Sequence, residues 1–419
     1  MNDFDPASFD PRARQTPLAP LARARAAEQS TFLMDDYQMW CVTRYEDVVE
    51  ALSNHRVFSS AKMVRKWPPP PETASELPFG HPLENAPVTT DPPRHTNIRR
   101  LAQKAFTPKL VAAREPEIHA LVEAVADKFV SRGAIDLIPD YCAEIPPTVV
   151  TQLLGVSASE SAAFRAWALE AHHLSFSPPT LSDEELLRLS REMVNFDRFL
   201  RLQINERRES PRDDLISYFV HATGDEGEPQ LTDPELIGVI ASMVTAGSDT
   251  TSTLIGHAIY VLLTQPEIRR DVEADRGLVA NLIEETLRYY PSARAMRRTT
   301  KCPVQIGGAD VPEDATMFVH LASANRDERV FPDPDLFDVH RPNSKRHTSL
   351  GAGGHICLGA PLARLEAVVA VIPCSTRFPR CAWPREKFYA MSRTTEICSS
   401  RRWCRSESNV TTKKAEGAS

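Results

Sequence analysis

The stretch PELIGVIASMVTAGSDTTSTLIGHAIYVLLTQ, from Pro234 to Gln265, is the longest segment of helical pattern in the chain, and Pro266 follows it directly. A proline is tolerated in the first helical turn, where its missing N–H has no partner to lose, and it stops a helix that runs into it. Asp233 is a residue type that caps a helix N-terminus. The spacing predicts one helix over 234–265 of about 48 Å. An element that long crosses a whole domain, so the rest of the chain must pack around it.

The remaining pattern is helix-rich with a minor β portion. TFLMDDYQMWCVT (31–43) reads as two short strands around Asp35-Asp36, and a helical pattern follows from Glu46 to Leu52. Residues 64–93 carry too many prolines for helix interior and read as a long irregular loop, a type that often serves as a lid or binding loop. Residues 95–215 are mostly helical, with breaks at Pro146-Pro147 and Pro178-Pro179; SFSPPTL (175–181) reads as a second loop. A helix over Leu278–Tyr290 ends at Pro291, and 303–322 read as short strands and turns. No internal repeat of solenoid period is visible.

A length of 419 residues is compatible with one domain or two, and 42% hydrophobic with 25% charged residues is ordinary globular usage. The net charge of -7 gives no general attraction to nucleic acid or an anionic membrane surface. The N-terminal segment has no apolar core of a secretory signal, and no run approaches the roughly 18 apolar residues of a membrane span. A cytoplasmic protein is expected. The eight cysteines, at 41, 142, 302, 357, 374, 381, 398 and 404, form no C-x-x-C pair, which disfavours a zinc site.

One cysteine stands apart. Residues 349–366, SLGAGGHICLGAPLARLE, surround His355 and Cys357 with Gly351, Gly353, Gly354 and Gly359, and a helical pattern starts immediately after. Glycines let the backbone approach a flat ligand closely. N–H groups at a helix start stabilise an anion, so the Cys357 pKa is expected to fall. Residues alone leave a structural cysteine in a turn about as plausible as a functional one, and the spacing fits neither phosphate-loop pattern.

The loop resembles the haem loop of the cytochrome P450 family, Phe-Gly-x-Gly-x-His-x-Cys-x-Gly followed by Ala-x-x-Ala-Arg-x-Glu. Here it runs from Leu350 to Gly359 and then from Ala360 to Glu366, and Leu350 in place of Phe is the one departure. A leucine beside the sulfur changes the shape of the apolar shell and so bears on redox potential rather than on ligation. The resemblance makes Cys357 the iron ligand. Ala246-Gly247-Ser248-Asp249-Thr250-Thr251 is similar to the family's distal motif. It implies that Asp249 and Thr250 relay protons to dioxygen, with Ala246 and Gly247 at the haem and Gly247 leaving room for O2. Gly and Thr are poor mid-helix residues, so a local opening of the helix is expected there.

Glu285, Arg288 and, in FDVHRP, Arg341 resemble the family's buried triad behind the cysteine loop. His95, Arg99, Arg298 and His355 match propionate contacts, and Gly359 closes the haem loop. Arg294 falls where many members have an apolar residue; turned inward, it would select an acidic substrate. Taken singly, each of these charges reads more simply as a solvated surface group.

The family implies a mostly helical, triangular domain enclosing haem b. Its reaction is hydroxylation: one oxygen atom of O2 enters a C–H bond of a small molecule. Electrons would pass from NAD(P)H through a separate ferredoxin reductase and ferredoxin. Arg94, Arg99, Arg100, Lys104 and Lys109 against Asp91 alone suggest an acidic partner. A peroxide-driven peroxygenase and a non-catalytic haem-binding module are the alternatives; the Asp249–Thr250 pair argues against both. The domain is expected over 30–372, after an N-terminal extension (1–29). An atypical tail (373–419) rich in Arg, Ser, Thr and Cys looks frame-shifted or disordered, and Pro373 should end the helix behind the cysteine loop.

Overall fold

A computed structural model describes residues 18–130, 136–176, 181–223 and 230–376. Among them the order is α1 (Leu18–Ala26), β1 (Thr31–Met34), β2 (Met39–Val42), α2 (Tyr45–Ser53), β3 (Phe58–Ser59), α3 (Pro71–Ala74), α4 (Arg94–Ala105), α5 (Pro108–Ala112), α6 (Glu115–Val130) and α7 (Ile145–Leu153). Then come α8 (Ala158–Phe176), α9 (Asp183–Glu209), α10 (Leu215–His221), α11 (Asp233–Thr264), α12 (Pro266–Ala274) and α13 (Leu278–Tyr289). Strands β4 (Met296–Thr300), β5 (Val304–Ile306), β6 (Ala309–Val311) and β7 (Thr316–Val319) precede α14 (Leu321–Ala324) and α15 (Ala360–Thr376).

The predicted long helix is α11, and it is the axis of the molecule: α7, α8, α9, α12, α13 and α15 all pack on it. Its cap is Thr232 rather than Asp233. The Glu235 carboxylate accepts from the Thr232 N–H at 2.8 Å and from its hydroxyl at 2.7 Å. That reciprocal box outcompetes Asp233, which sits in the first turn, where an acid suits the helix dipole. On one side of α11 a core forms from α6, α13 and α15, with Ile255, Ile259, Leu282 and Val369 fully or almost fully buried. On the other side α8, α9 and α10 enclose Phe164, Leu189, Phe196 and Ile240.

The sheet order is β1-β2-β7-β4-β3, antiparallel except for the parallel β2–β7 pair; β5 and β6 form a separate hairpin. Helix α1, inside the stretch set apart as an N-terminal extension, buries Leu21 and Ala24 beside Phe32 and Cys41.

Proline-based expectations need correction in three places. Residues 64–93 are not wholly irregular: short helical turns run over Pro71–Ala74, Pro82–Asn85 and Pro87–Thr89, each opened by its proline. Pro146 and Pro147 do not break a helix but lie in the first turn of α7, where no N–H partner is lost. Helix α15 does not stop at Pro373 but keeps helical geometry to Thr376, since a proline removes a ladder bond without barring helical φ and ψ beyond it. Residues 177–180 of the second expected loop, and the tail from 377, lie outside the described residues.

Candidate active site

The cysteine loop is shaped by backbone conformation. Gly351 (φ +77°) and Gly353 (φ +64°) adopt left-handed conformations, and a Cβ at Gly353 would fall 2.6 Å from the Ser53 Cα of α2. The Cys357 N–H donates to the Leu350 carbonyl at 2.7 Å, which closes the loop on itself. Leu350 packs on the core that contains Leu254 and Ala258 of α11, and Leu358 on the one that contains Ile240 and Val244. The loop is thus anchored in both of the cores that flank α11. Helix α11 shows an open face: Ala246 and Thr250, one turn apart, are the exposed residues in a stretch from Ile240 to Ser252 that is otherwise buried or half-buried.

The expected opening of the helix is not observed. Hydroxyls do bond carbonyls four residues back, Thr250 Oγ1 to Ala246 O at 2.7 Å and Ser248 Oγ to Val244 O at 2.7 Å, but α11 continues unbroken through both. A hydroxyl can share a carbonyl with the ladder instead of displacing the N–H bond. Gly247 has a packing reason of its own, because an added Cβ would reach Val150 of α7 at 3.0 Å. Asp249 is half-buried, and burial raises its pKa while His172 of α8 pulls it down. The same pairing acts on His172, whose pKa burial lowers. His172 is a member of the site that no sequence motif announced.

Cys357 is exposed in the loop, yet the protein around it solvates a thiolate poorly. Burial raises its pKa, against the expectation from the helix start. The N–H groups of Gly359 and Ala360 and the charges of Arg99 and Arg364 favour the anion, and desolvation outweighs them.

Beside the loop the structure gathers His95, Arg99, Arg298 and His355. The two imidazoles stack with centroids 3.8 Å apart. Burial, then neighbouring cations, lowers His95 to about 4 and His355 to about 3; burial lowers Arg298 to about 10 and also lowers Arg99. Asp91 opposes the shifts of His95, His355 and Arg298, and it is itself engaged by Ser59 Oγ at 2.6 Å, the Ser60 N–H at 2.8 Å and Lys301 at 2.9 Å. The Arg99 Nε and His355 Nε2 atoms are buried with no hydrogen-bond partner. Crowded, under-partnered cations of this kind fit the carboxylates of a haem. A Cβ at Gly359 would meet nothing within 4 Å, and one at Gly354 only the His95 ring, so the loop offers a flat, open backbone surface beside the sulfur. The residues present therefore fit a haem.

Behind the loop lies the buried triad. Glu285 and Arg288 are 0% exposed and Arg341 6%. Arg288 donates to Glu285 at 2.8 and 2.7 Å, and Arg341 at 3.1 Å. Arg288 also donates to Asn325 O at 3.0 Å, and the Asn325 side chain holds Thr348 N at 2.7 Å and Ser349 Oγ at 2.7 Å. Those residues lead straight into Leu350. Asn325 was not legible in sequence because no local pattern marks it. Glu284 adds a second clamp: Arg364 of α15 donates to it at 2.5 and 3.1 Å. Burial raises the Glu284 pKa, but His347 and Arg364 outweigh that and bring it to about 2.

Arg294 lies by half-buried His257 and buried His320 and contributes to lowering both. Of the basic residues assigned to a partner face, Arg94 pairs with Glu235 and Arg99 turns inward toward Cys357. Lys104 and Lys109 are exposed, next to Leu110 at 50%. Among the described residues no helix is long and apolar enough to cross a membrane.

A profile described as Cytochrome P450 matches residues 172–378. The putative cytochrome P450 YjiB of Bacillus subtilis is 34% identical over 82% of this chain and 83% of its own. The 6-deoxyerythronolide B hydroxylase of Saccharopolyspora erythraea is 34% identical over 81% and 83% respectively. The solved structure of the cytochrome P450 CREJ, in complex with (4-ethylphenyl) dihydrogen phosphate, superposes with a TM-score of 0.81 at 28% identity, covering 89% of this chain and 92% of that one. On these matches the chain belongs to the cytochrome P450 family, of the bacterial type, and is a monooxygenase.

Proposed function

We propose that this chain hydroxylates a C–H bond of a small organic molecule, with electrons delivered from NAD(P)H by a separate ferredoxin reductase and ferredoxin. The observation that carries the reading is the glycine-shaped cysteine loop with the cluster of His95, Arg99, Arg298 and His355 at its side. Haem, when bound, supplies dioxygen activation. Cys357 would hold its iron as a thiolate, and His95, Arg99, Arg298 and His355 its propionates. Gly359 and Gly354 keep the loop backbone bare for the flat ring, and Ala246 and Gly247 would face it from α11.

Thr250 donates its hydroxyl hydrogen to Ala246 O, which leaves its oxygen free to accept a proton-bearing partner. Asp249, with its pKa raised by burial, is suited to hold and pass on a proton. Ser292 Oγ bonds Thr250 O at 2.8 Å and ties the segment before β4 to this point. Exposed Lys104 and Lys109, with exposed Leu110 beside Lys109, suit an acidic redox partner.

The test measures product formed per NADH consumed. Compounds are first selected by the spin-state shift that they induce, then turned over with a ferredoxin system under isotopically labelled dioxygen. Label in the product is expected, and Thr250→Ala is expected to keep substrate binding while diverting reducing equivalents to peroxide. Unlabelled product, or unchanged coupling in the variant, contradicts the assignment.

A further inference from the structure

Arg65 and Arg297 lie outside the haem cluster and the triad, and neither has a carboxylate partner among the described residues. Arg65 lies in the segment after β3, and Arg297 is the residue next to Arg298 on β4. Both are half-buried. The Met63 sulfur stands 3.3 Å from the Arg297 N–H, which sets the two segments against each other. The Arg65 N–H donates to Ser175 O at 3.1 Å, and Trp67 Nε1 to Leu174 O at 2.9 Å. The segment is thereby pinned to the end of α8, the helix whose His172 acts on Asp249. The strand carrying Arg297 follows Ser292, which bonds the Thr250 carbonyl. The pair is thus joined to the segments that flank Asp249 and Thr250, through α8 on one side and the chain leading into β4 on the other.

Outside the haem cluster, two wholly buried arginines are fully engaged: Arg207 bonds Asp214 at 3.0 Å, Gln203 at 2.6 Å and Gly155 O at 2.8 Å, and Arg288 is held as above. Arg65 and Arg297 differ. The Arg65 Nε is buried with no hydrogen-bond partner. Burial and the charge of Arg65 depress Arg297, and no acid opposes them. Keeping two like charges together in a desolvated place is costly unless an anion neutralises them. Alongside lie the Trp67 ring, 5.5 Å below the Arg65 guanidinium, and buried Met63 and Val64, so the surface next to the charges is apolar.

We propose that Arg65 and Arg297 form an anion-binding station on the substrate side of the site, and that this enzyme acts on apolar molecules bearing one carboxylate or phosphate group. Planar guanidinium groups bind either oxyanion in bidentate fashion. The proposal rests on the monooxygenase reading for its site, but binding can be read without turnover.

The haem-loaded protein is titrated with n-alkanoates, n-alkyl phosphates and n-alkanols of matched chain length, from hexyl to hexadecyl. Binding is followed by calorimetry and, in parallel, by the spin-state shift. At least tenfold tighter binding of an anion series than of the matched alcohols is expected. The comparison of carboxylate with phosphate identifies the head group. Arg65→Gln with Arg297→Gln is expected to lose that preference while alcohol binding stays within about twofold; each single substitution is expected to lose part of it, and serves if the double variant loads no haem. Alcohols binding as tightly as both anion series, no binding of either anion, or a preference that survives the substitutions overturns the proposal. Calorimetric anion binding without a spin-state shift leaves the station standing and counts against the monooxygenase site instead.

Discussion

Replacing Glu285 with glutamine tests how the cysteine loop is held. The Glu285 carboxylate, wholly buried, accepts two bonds from Arg288 and one from Arg341, and the Asp338 N–H donates to it at 3.0 Å. The substituted amide would keep the volume but leave two arginines without their counter-charge. Removing one partner of a buried ion pair costs about 3–5 kcal/mol. Against a total stability of about 5–15 kcal/mol, that is a large fraction. Because Arg288 reaches Thr348 and Ser349 through Asn325, the loss is expected to loosen haem as well. Urea unfolding of Glu285→Gln, Arg288→Met and the double variant gives the cycle. A coupling of about 2 kcal/mol is expected, since the double variant removes both members of the closest pair. A loss below about 1 kcal/mol in the single variant, or strict additivity, refutes the reasoning.

Two further outcomes follow from the charges near the site. His172 lowers the Asp249 pKa, so His172→Phe is expected to move the Asp249-dependent limb of the coupling–pH profile to higher pH; an unshifted limb contradicts the pairing. His320 is 2% exposed and lowered to about 3, by burial first and then by Arg294 and Arg25. The unfolded chain therefore takes up this proton first, and stability falls as pH drops from about 6.5 toward 3. His320→Asn keeps an acceptor for the Ser323 N–H and is expected to recover about 2 kcal/mol at about pH 5 relative to neutral pH. An acid limb of the same depth in the variant denies that His320 contributes to it.

The long helix, the cysteine loop and the triad were legible because each rests on a contiguous or fixed-spacing pattern: the run of α11 after Pro234, free of proline up to Pro266, the glycines about Cys357, and Glu285 with Arg288 on one helix face. Misreadings arose where local rules compete with tertiary context. Pro146 and Pro147 look like breakers, but helix starts tolerate them. Thr250 looks like a helix opener, but its hydroxyl shares the Ala246 carbonyl. The helix start favours the Cys357 thiolate, and desolvation, which outweighs it, has no sequence signature. For the same reason Asn325, His172 and the Arg65–Arg297 pair carried no sequence signal: each gains its meaning from a partner tens to hundreds of residues away.

The central claim is that Cys357, as a thiolate, is the protein ligand of a haem iron. The carbon monoxide difference spectrum of the reduced, haem-loaded protein tests it most directly. The strongly red-shifted carbonyl band that marks thiolate ligation is expected in the wild type and is expected to vanish in Cys357→Ala. A wild-type spectrum of the imidazole-ligated kind, or a thiolate band that persists in Cys357→Ala, contradicts it.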